Sequence, residues 1–321
     1  MAYQIDRRQF LQVSMAVPTA PPRKIRAGVT PYPTMSSFYL AHELGYFTDA
    51  GLDVEIEPFN ASFQIVPLLA AGKIDVTFAA QSPALINAIA RGARLRIVAA
   101  REIFSPTCGD SGHIYGRRDR FPHGLGDLTS LKGKRVAFGR RAAINEFVLD
   151  MILRYAGLRS ADIQAVEIAR TESIAALLAG KVDAVVIGTQ FDSALAGMSS
   201  QLVTGLGVAQ IFPNSQYSYM VFGKNLIDGP PEIGARFLRA YFRGSQDFLQ
   251  GKTPRFLEDY ARSNNIDFKQ LRDACRTSIT ADGKFDAESL PRFVSWAVEK
   301  GYCESSVKGL ELTDTRFLMM R

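Results

Sequence analysis

A chain of 321 residues that is 47% hydrophobic and 22% charged has the make-up of a soluble globular protein, long enough for two domains. No stretch reaches eighteen uninterrupted apolar residues, which argues against a membrane-spanning helix. The net charge of +6 is not gathered into a basic stripe beyond Arg117-Arg118 and Arg140-Arg141, so a nucleic-acid partner is disfavoured and a small anion suits the excess better.

The first segment sets Arg7-Arg8 before Phe10-Leu11 and a short apolar run, Val13 to Val17, with Ala20 as a small residue at a cleavage position. Residues 1–22 therefore read as a twin-arginine export signal, with a basic unstructured leader as the alternative. The three cysteines, Cys108, Cys275 and Cys303, form no C-x-x-C pair, and His42, His113 and His123 are scattered, so no metal site is expected. Export would permit a Cys275–Cys303 disulfide; three unpaired thiols is the other reading.

From residue 24 onward strands and helices alternate. Ile25 to Val29 reads as a strand, and a Pro-rich turn leads to a helix over Ser36 to Leu44, stopped by Gly45. Leu52 to Glu57 is a second strand, followed by a helix capped at Asn60 or Ser62 and ended by Gly72. Ile74 to Ala80 is a third strand; Ser82 caps the next helix with Pro83 in its first turn, and the strand Leu95 to Ala100 follows. This alternation predicts a parallel open α/β sheet. The glycine-rich stretch from Glu102 to Leu131 reads as a crossing segment and turns rather than core.

The order then repeats. Lys134 to Gly139, Ile163 to Ile168 and Val182 to Ile187 read as strands, separated by helices over Ala142 to Tyr155 and from Thr171 or Ser173 to Ala179. Ala71-Gly72-Lys73-Ile74-Asp75 matches Ala179-Gly180-Lys181-Val182-Asp183, the aspartates lying 108 residues apart, with Ala50-Gly51-Leu52 echoed by Ala156-Gly157-Leu158. Two copies of one supersecondary unit make two similar lobes. Tyr217 to Phe222 reads as a strand returning to the first lobe. Helical spacing over Glu232 to Gln250, Pro254 to Asn264, Phe268 to Thr277 and Glu288 to Lys300 forms a C-terminal helical cap on that lobe, with Phe237, Tyr241 and Phe248 on one core stripe. The boundaries are 23–104 with 217–321 for lobe 1 and 105–216 for lobe 2.

Parallel α/β sheets bind ligands beyond the C-terminal ends of their strands, where helix N-termini offer free N–H donors. Two facing lobes make a cleft from these strand-to-helix loops. The candidate ligand-binding residues are Tyr32, Thr34, Phe38, Asn60, Gln81 and Ser82 from the first lobe, with Arg140, Arg141, Asn145, Gln190, Phe191 and Asp192 from the second. The mixture of aromatic and hydrogen-bonding side chains suits a small ligand with a flat part, and one of the two arginines can clamp an anionic head. The Ala-Gly-Lys-x-Asp repeat lies at the opposite, helix-to-strand end and reads as structural.

"LAHELGYFTDAGLDVEI", "LLAAGKIDVTFAA", "DLTSLKGKRVAFGR", "LLAGKVDAVVIGT" and the "LTDTRFL" tail together resemble the solute-binding proteins of sulfonate, nitrate and taurine ABC importers. The same superfamily holds thiamine-pyrimidine precursor binders and a pyrimidine synthase. The resemblance covers roughly residues 24–321. It implies a type II periplasmic-binding fold with two doubly wound lobes, a two-segment hinge and the helical cap. It also implies a monomer of the periplasm that holds no cofactor and hands a small ligand to an ABC permease and its ATPase without chemistry. Two positions depart from the sulfonate branch: Gln81 stands where Gly is common, and Arg140-Arg141-Ala142-Ala143 replaces a loop richer in Gly and Ser. The ligand is a sulfonate, a carboxylate or a pyrimidine-like molecule. The alternative is an enzyme on the same fold, a desulfinase or a pyrimidine-forming synthase, but the cysteine-rich motif of the synthase branch is absent.

Overall fold

The computed structural model of the chain describes residues 21–59, 64–105, 112–187, 200–264, 266–273, 276, 278–304 and 306–320. Residues 1–20 of the export-signal region, Cys108 and Cys275 lie outside them.

Two five-stranded sheets share one plan. In the first, β1 (Arg23–Val29) runs parallel to β2 (Leu52–Pro58) and to β3 (Val76–Ala80). β10 (Gln216–Phe222) lies between β3 and β4 (Arg96–Ile103), antiparallel to both. In the second, β6 (Arg135–Ala137) runs parallel to β7 (Gln164–Val166) and β8 (Ala184–Ile187), while β5 (His113–Arg117) is antiparallel to β8 and to β9 (Leu202–Gly207). The strand orders are β2-β1-β3-β10-β4 and β7-β6-β8-β5-β9. In each sheet the fourth strand is the antiparallel one, and it is the strand laid down just after the chain crosses from the other lobe.

The sheets are therefore mixed, which corrects the expectation of wholly parallel ones. The glycine-rich stretch after Glu102 is also more than turns, because it supplies β5, an interior strand. Its glycine is what allows the packing: a Cβ on Gly116 would stand 2.5 Å from the Phe121 ring. The crossings run side by side, with the Asn214 N–H donating to the Phe104 carbonyl and the Phe104 N–H to that of Ser215, each at 2.9 Å.

The helices that matter for the site are α1 (Ser36–Glu43), α2 (Ile65–Ala70), α3 (Pro83–Ala90), α4 (Ile144–Tyr155) and α5 (Arg170–Leu178). Beyond β10 come α6 (Pro231–Leu249), α7 (Arg255–Ser263), α8 (Phe268–Asp273) and α9 (Ser289–Glu299). One core packs Phe38, Phe47, Phe78, Phe237 and Tyr241 between the first sheet and helices α1 and α6. A second core runs without interruption from Ile86 and Tyr219 of the first lobe through Phe293 and Trp296 of α9 to Phe147 and Ile152 of α4. The C-terminal helices thus do not all stay on the first lobe: α9 packs against both.

The repeated motif does the same structural work twice. Asp75 is buried and accepts the backbone N–H of Arg26 in β1 at 2.8 Å, and Asp183 accepts that of Arg135 in β6 at 2.9 Å. Each arginine then returns a guanidinium bond to the helix-ending glycine, Arg26 to the Gly72 carbonyl and Arg135 to that of Gly180. Both glycines are left-handed, at φ 69° and 72°, where a side chain would be strained. The carboxylate locks the helix-to-strand turn onto the neighbouring strand at the end of the sheet away from the cleft.

Candidate functional site

By the strand-end rule the candidate loops follow β1 and β3 in the first sheet and β6 in the second, while the segment after β8 lies outside the described residues. After β1 the chain makes a 3-10 turn over Pro33–Met35 before α1. Arg101 holds this turn from below, its Nη1 donating to the Thr34 carbonyl at 2.7 Å. Arg101 is 4% exposed, pairs with Glu102 at 2.8 Å and donates to Ser218 Oγ, so its buried charge is matched and hydrogen-bonded. A register shift makes this possible: Ser218 faces Glu102 and Tyr219 faces Ala100, leaving Arg101 as the extra residue of a bulge that turns its side chain inward. Tyr241 closes the cluster, and burial pushes its hydroxyl up to about 12.

Tyr32 lines a groove of 450 Å³ together with Phe256 and Tyr260 of α7, at the rim of the first lobe. Phe38 is not a cleft residue. It is fully buried against Phe47 and Phe78, because it lies on the face of α1 that packs on the sheet. Gln81 is 2% exposed, its N–H donates to the Tyr217 carbonyl at 2.9 Å, and its Oε1 has no partner among the described residues. A buried amide oxygen without a bond is a costly arrangement, and it leaves Gln81 an acceptor to offer. Ser82 is occupied as the N-cap of α3, accepting from the Leu85 N–H at 3.4 Å.

In the second lobe the loop after β6 runs from Gly139 to Ala143. Gly139 takes φ 86°, with Asn145 packed over it. Ala142 sits at φ 53°, a left-handed position unusual for a residue with a Cβ. Its N–H donates to Glu146 Oε2 at 2.7 Å, which holds the strained turn. Arg140 and Arg141 are both exposed on the loop, and Arg141 pairs with Glu167 at 3.8 Å. Glu146, 8% exposed, places a carboxylate at the start of α4 and so neutralises the helix end that would otherwise attract an anion. Asn60, Gln190, Phe191 and Asp192 lie outside the described residues.

Sequence reading missed Arg101, Glu102, Glu146 and Tyr302. A charged pair ending the apolar strand "RIVAAREI" was a signal for the first two, and a glutamate at the third position of α4 was a signal for Glu146. Nothing local marked Tyr302.

No curated protein matches the sequence. Among solved structures, the alkanesulfonate-binding protein SsuA from Xanthomonas axonopodis pv. citri bound to MOPS is 18% identical, with TM-score 0.70, over 92% of this chain and 100% of that one. The periplasmic aliphatic sulphonate binding protein SsuA from Escherichia coli is 18% identical, with TM-score 0.71, over 92% of each chain. The periplasmic nitrate-binding protein NrtA from Synechocystis PCC 6803 is 13% identical, with TM-score 0.65, over 90% of this chain and 84% of that one. At these identities the likeness establishes the fold, that of the periplasmic binding proteins. The NMT1/THI5 like family model matches residues 32–252, well over half of the chain, and the chain belongs to that family.

Proposed function

We propose that the chain is the solute-binding component of an ABC import system. Exported to the periplasm behind its twin-arginine signal, it captures a small organic acid between two closing lobes and delivers it to a membrane permease and its ATPase. The observation that carries the reading is the pair of sheets with one strand order, whose parallel strands would present their C-terminal ends to a ligand held between them. The neighbouring folds, two sulfonate binders and a nitrate binder, support it. Ligand binding favours the closed arrangement because a ligand touching both lobes is held by both. Gln81 would supply the first-lobe contact and Arg140 the charge from the second, so a sulfonate or carboxylate head is favoured over a neutral pyrimidine.

No chemical step is assigned. Cys303 is a buried free thiol that burial pushes up to about 11, which makes it a poor nucleophile. His113 is held below the usual imidazole range by burial.

Thermal melting of the protein against aliphatic sulfonates (MOPS among them), nitrate, aromatic carboxylates and pyrimidines tests the reading. A ligand at 100 times its Kd stabilises by about 2.7 kcal/mol. A sulfonate or carboxylate shift that disappears in Arg140→Ala and survives in Arg141→Ala is expected. A pyrimidine shift indifferent to Arg140 would overturn the anion assignment, and turnover of any solute would overturn the binding role.

A further inference from the structure

Tyr302 touches both lobes. Its carbonyl accepts from Asn87 Nδ2 of α3 at 2.8 Å, so its backbone is tied to the first-lobe helix that begins at Ser82. Its hydroxyl donates to Glu146 of α4, 3.0 and 3.1 Å from the two carboxylate oxygens. The same carboxylate accepts the Ala142 N–H at 2.7 Å, in the strained turn of the second-lobe cleft loop. Burial raises the Tyr302 hydroxyl above its ordinary range and the Glu146 bond raises it further, outweighing the opposing hydrogen bond and charge of Arg141. It therefore stays protonated and donates at any physiological pH.

A firm contact surrounds this bond. Phe147 of α4 packs edge-on to Phe293 and Trp296 of α9 at 5.3 and 5.4 Å. Asp150, one turn along α4, is buried and accepts from Trp296 Nε1 at 3.1 Å, Lys300 Nζ at 3.0 Å and Ser160 Oγ at 2.6 Å. Helix α4 is thus clamped at its side, and Tyr302–Glu146 lies at the end of the clamp nearest the cleft.

We propose that Glu146 is a positioning residue that sets the second-lobe cleft loop, and that Tyr302 makes its position depend on the first lobe. The Gly139–Ala143 loop takes its ligand-ready shape only while the lobes hold the α3–Tyr302–α4 arrangement. Lobe angle and loop shape then change together, and a ligand that engages Arg140 reads both. The inference rests on the cleft reading above for its functional meaning, but its structural content does not need a ligand.

Amide exchange, followed by mass spectrometry on the ligand-free protein, tests it. Tyr302→Phe removes one hydroxyl and keeps the ring. Exchange over 139–145 should rise about fivefold, the effect of one ordinary hydrogen bond, while β6 stays protected. Glu146→Asp keeps the charge but is too short to reach both donors, and should raise loop exchange at least as much. Glu146→Gln can keep both bonds, its amide oxygen accepting the Ala142 N–H and its amide N–H donating to the Tyr302 hydroxyl, and should leave loop exchange near that of wild type. Unchanged loop exchange in Tyr302→Phe would overturn the proposal, as would an equal rise in β6, which would mean general loosening. A second arm titrates MOPS by calorimetry. If wild type binds it, Tyr302→Phe should weaken it about fivefold, and unchanged affinity beside faster loop exchange would sever loop from ligand and overturn the coupling. If wild type does not bind MOPS or any other member of the solute panel, the solute-binding reading fails while the exchange result still decides the positioning claim.

Discussion

Asp183→Asn should destabilise the second lobe in a pH-dependent way. The carboxylate is 2% exposed and accepts the Arg135 backbone N–H at 2.9 Å and that residue's guanidinium at 3.2 and 2.8 Å, with Arg120 Nε at 3.1 Å. Hydrogen bonding from Arg135, above all, holds its pKa down at about 2, against 3.8 for an ordinary aspartate. Asparagine can still accept the backbone N–H but turns a donor toward the two guanidinium groups. The loss is that of a hydrogen-bonded charge, about 2–3 kcal/mol, reduced toward the lower figure by the partial exposure of both arginines. That corresponds to a fall in Tm of roughly 4–10 °C. Because the folded pKa lies below the unfolded one, the stabilisation is full above about pH 4 and is lost as pH falls toward 2. Melting wild type and variant from pH 7 downward should show a constant gap that narrows only below pH 4. A gap of the same size at pH 7 and pH 2.5 would refute the charge argument and leave shape as the cause.

Two backbone predictions follow from the same geometry. Ala142→Gly should raise stability by about 1 kcal/mol, because it removes a Cβ from a left-handed position, measured as a higher denaturant midpoint; a drop would mean that the turn is unstrained. Gly116→Ala should cost about 1–3 kcal/mol, since the added methyl would meet the Phe121 ring at 2.5 Å and Leu125 at 2.8 Å; a neutral result would show that this edge of β5 gives way freely.

Much of the fold was legible because its signals are local. Helix-ending glycines and the Ser82-Pro83 cap fall where periodicity alone puts them, and the duplicated Ala-Gly-Lys-x-Asp correctly divides the chain into two like halves. The strands that sequence reading missed, β5 and β9, are two that carry a glycine, whereas β10 was legible from its aromatic and β-branched residues although its partners β3 and β4 are farther away in the chain. β5 carries Gly116 in its middle, and β9 carries Gly205, which faces Ile114 across the ladder; both lower strand propensity for the sake of close packing. At the site, Phe38 was misread because an aromatic just after a cleft loop looks the same on either face of a helix. The pairing of Arg141 with Glu167 is one that no spacing rule predicts. Tyr302 touches Glu146 across 156 residues of chain, a distance at which sequence patterns carry no contact information.

The continuous core between the lobes bears on how they can move. A binding protein that opens by separating α9 from α4 would expose Phe147, Phe293 and Trp296 and strip Asp150 of two donors at once, Trp296 and Lys300. Breaking one buried charged hydrogen bond costs about 1.5–3 kcal/mol, before any of the aromatic surface is counted. A ligand-driven population shift supplies only a few kcal/mol, so this face cannot part in the ordinary opening motion. If the lobes close on a ligand as proposed, they pivot here, with the strand crossings at Phe104 and Asn214–Ser215 flexing beside it. The chain carries its own reporter, because Trp296 is its single tryptophan and sits in the pivot at 2% exposure. Its emission should be that of a buried indole, shielded from acrylamide, and should keep its wavelength and quenching when a ligand found in the melting panel is added. A red shift or a several-fold change in quenching on binding would mean that α9 leaves α4, and would replace the pivot with a separating interface.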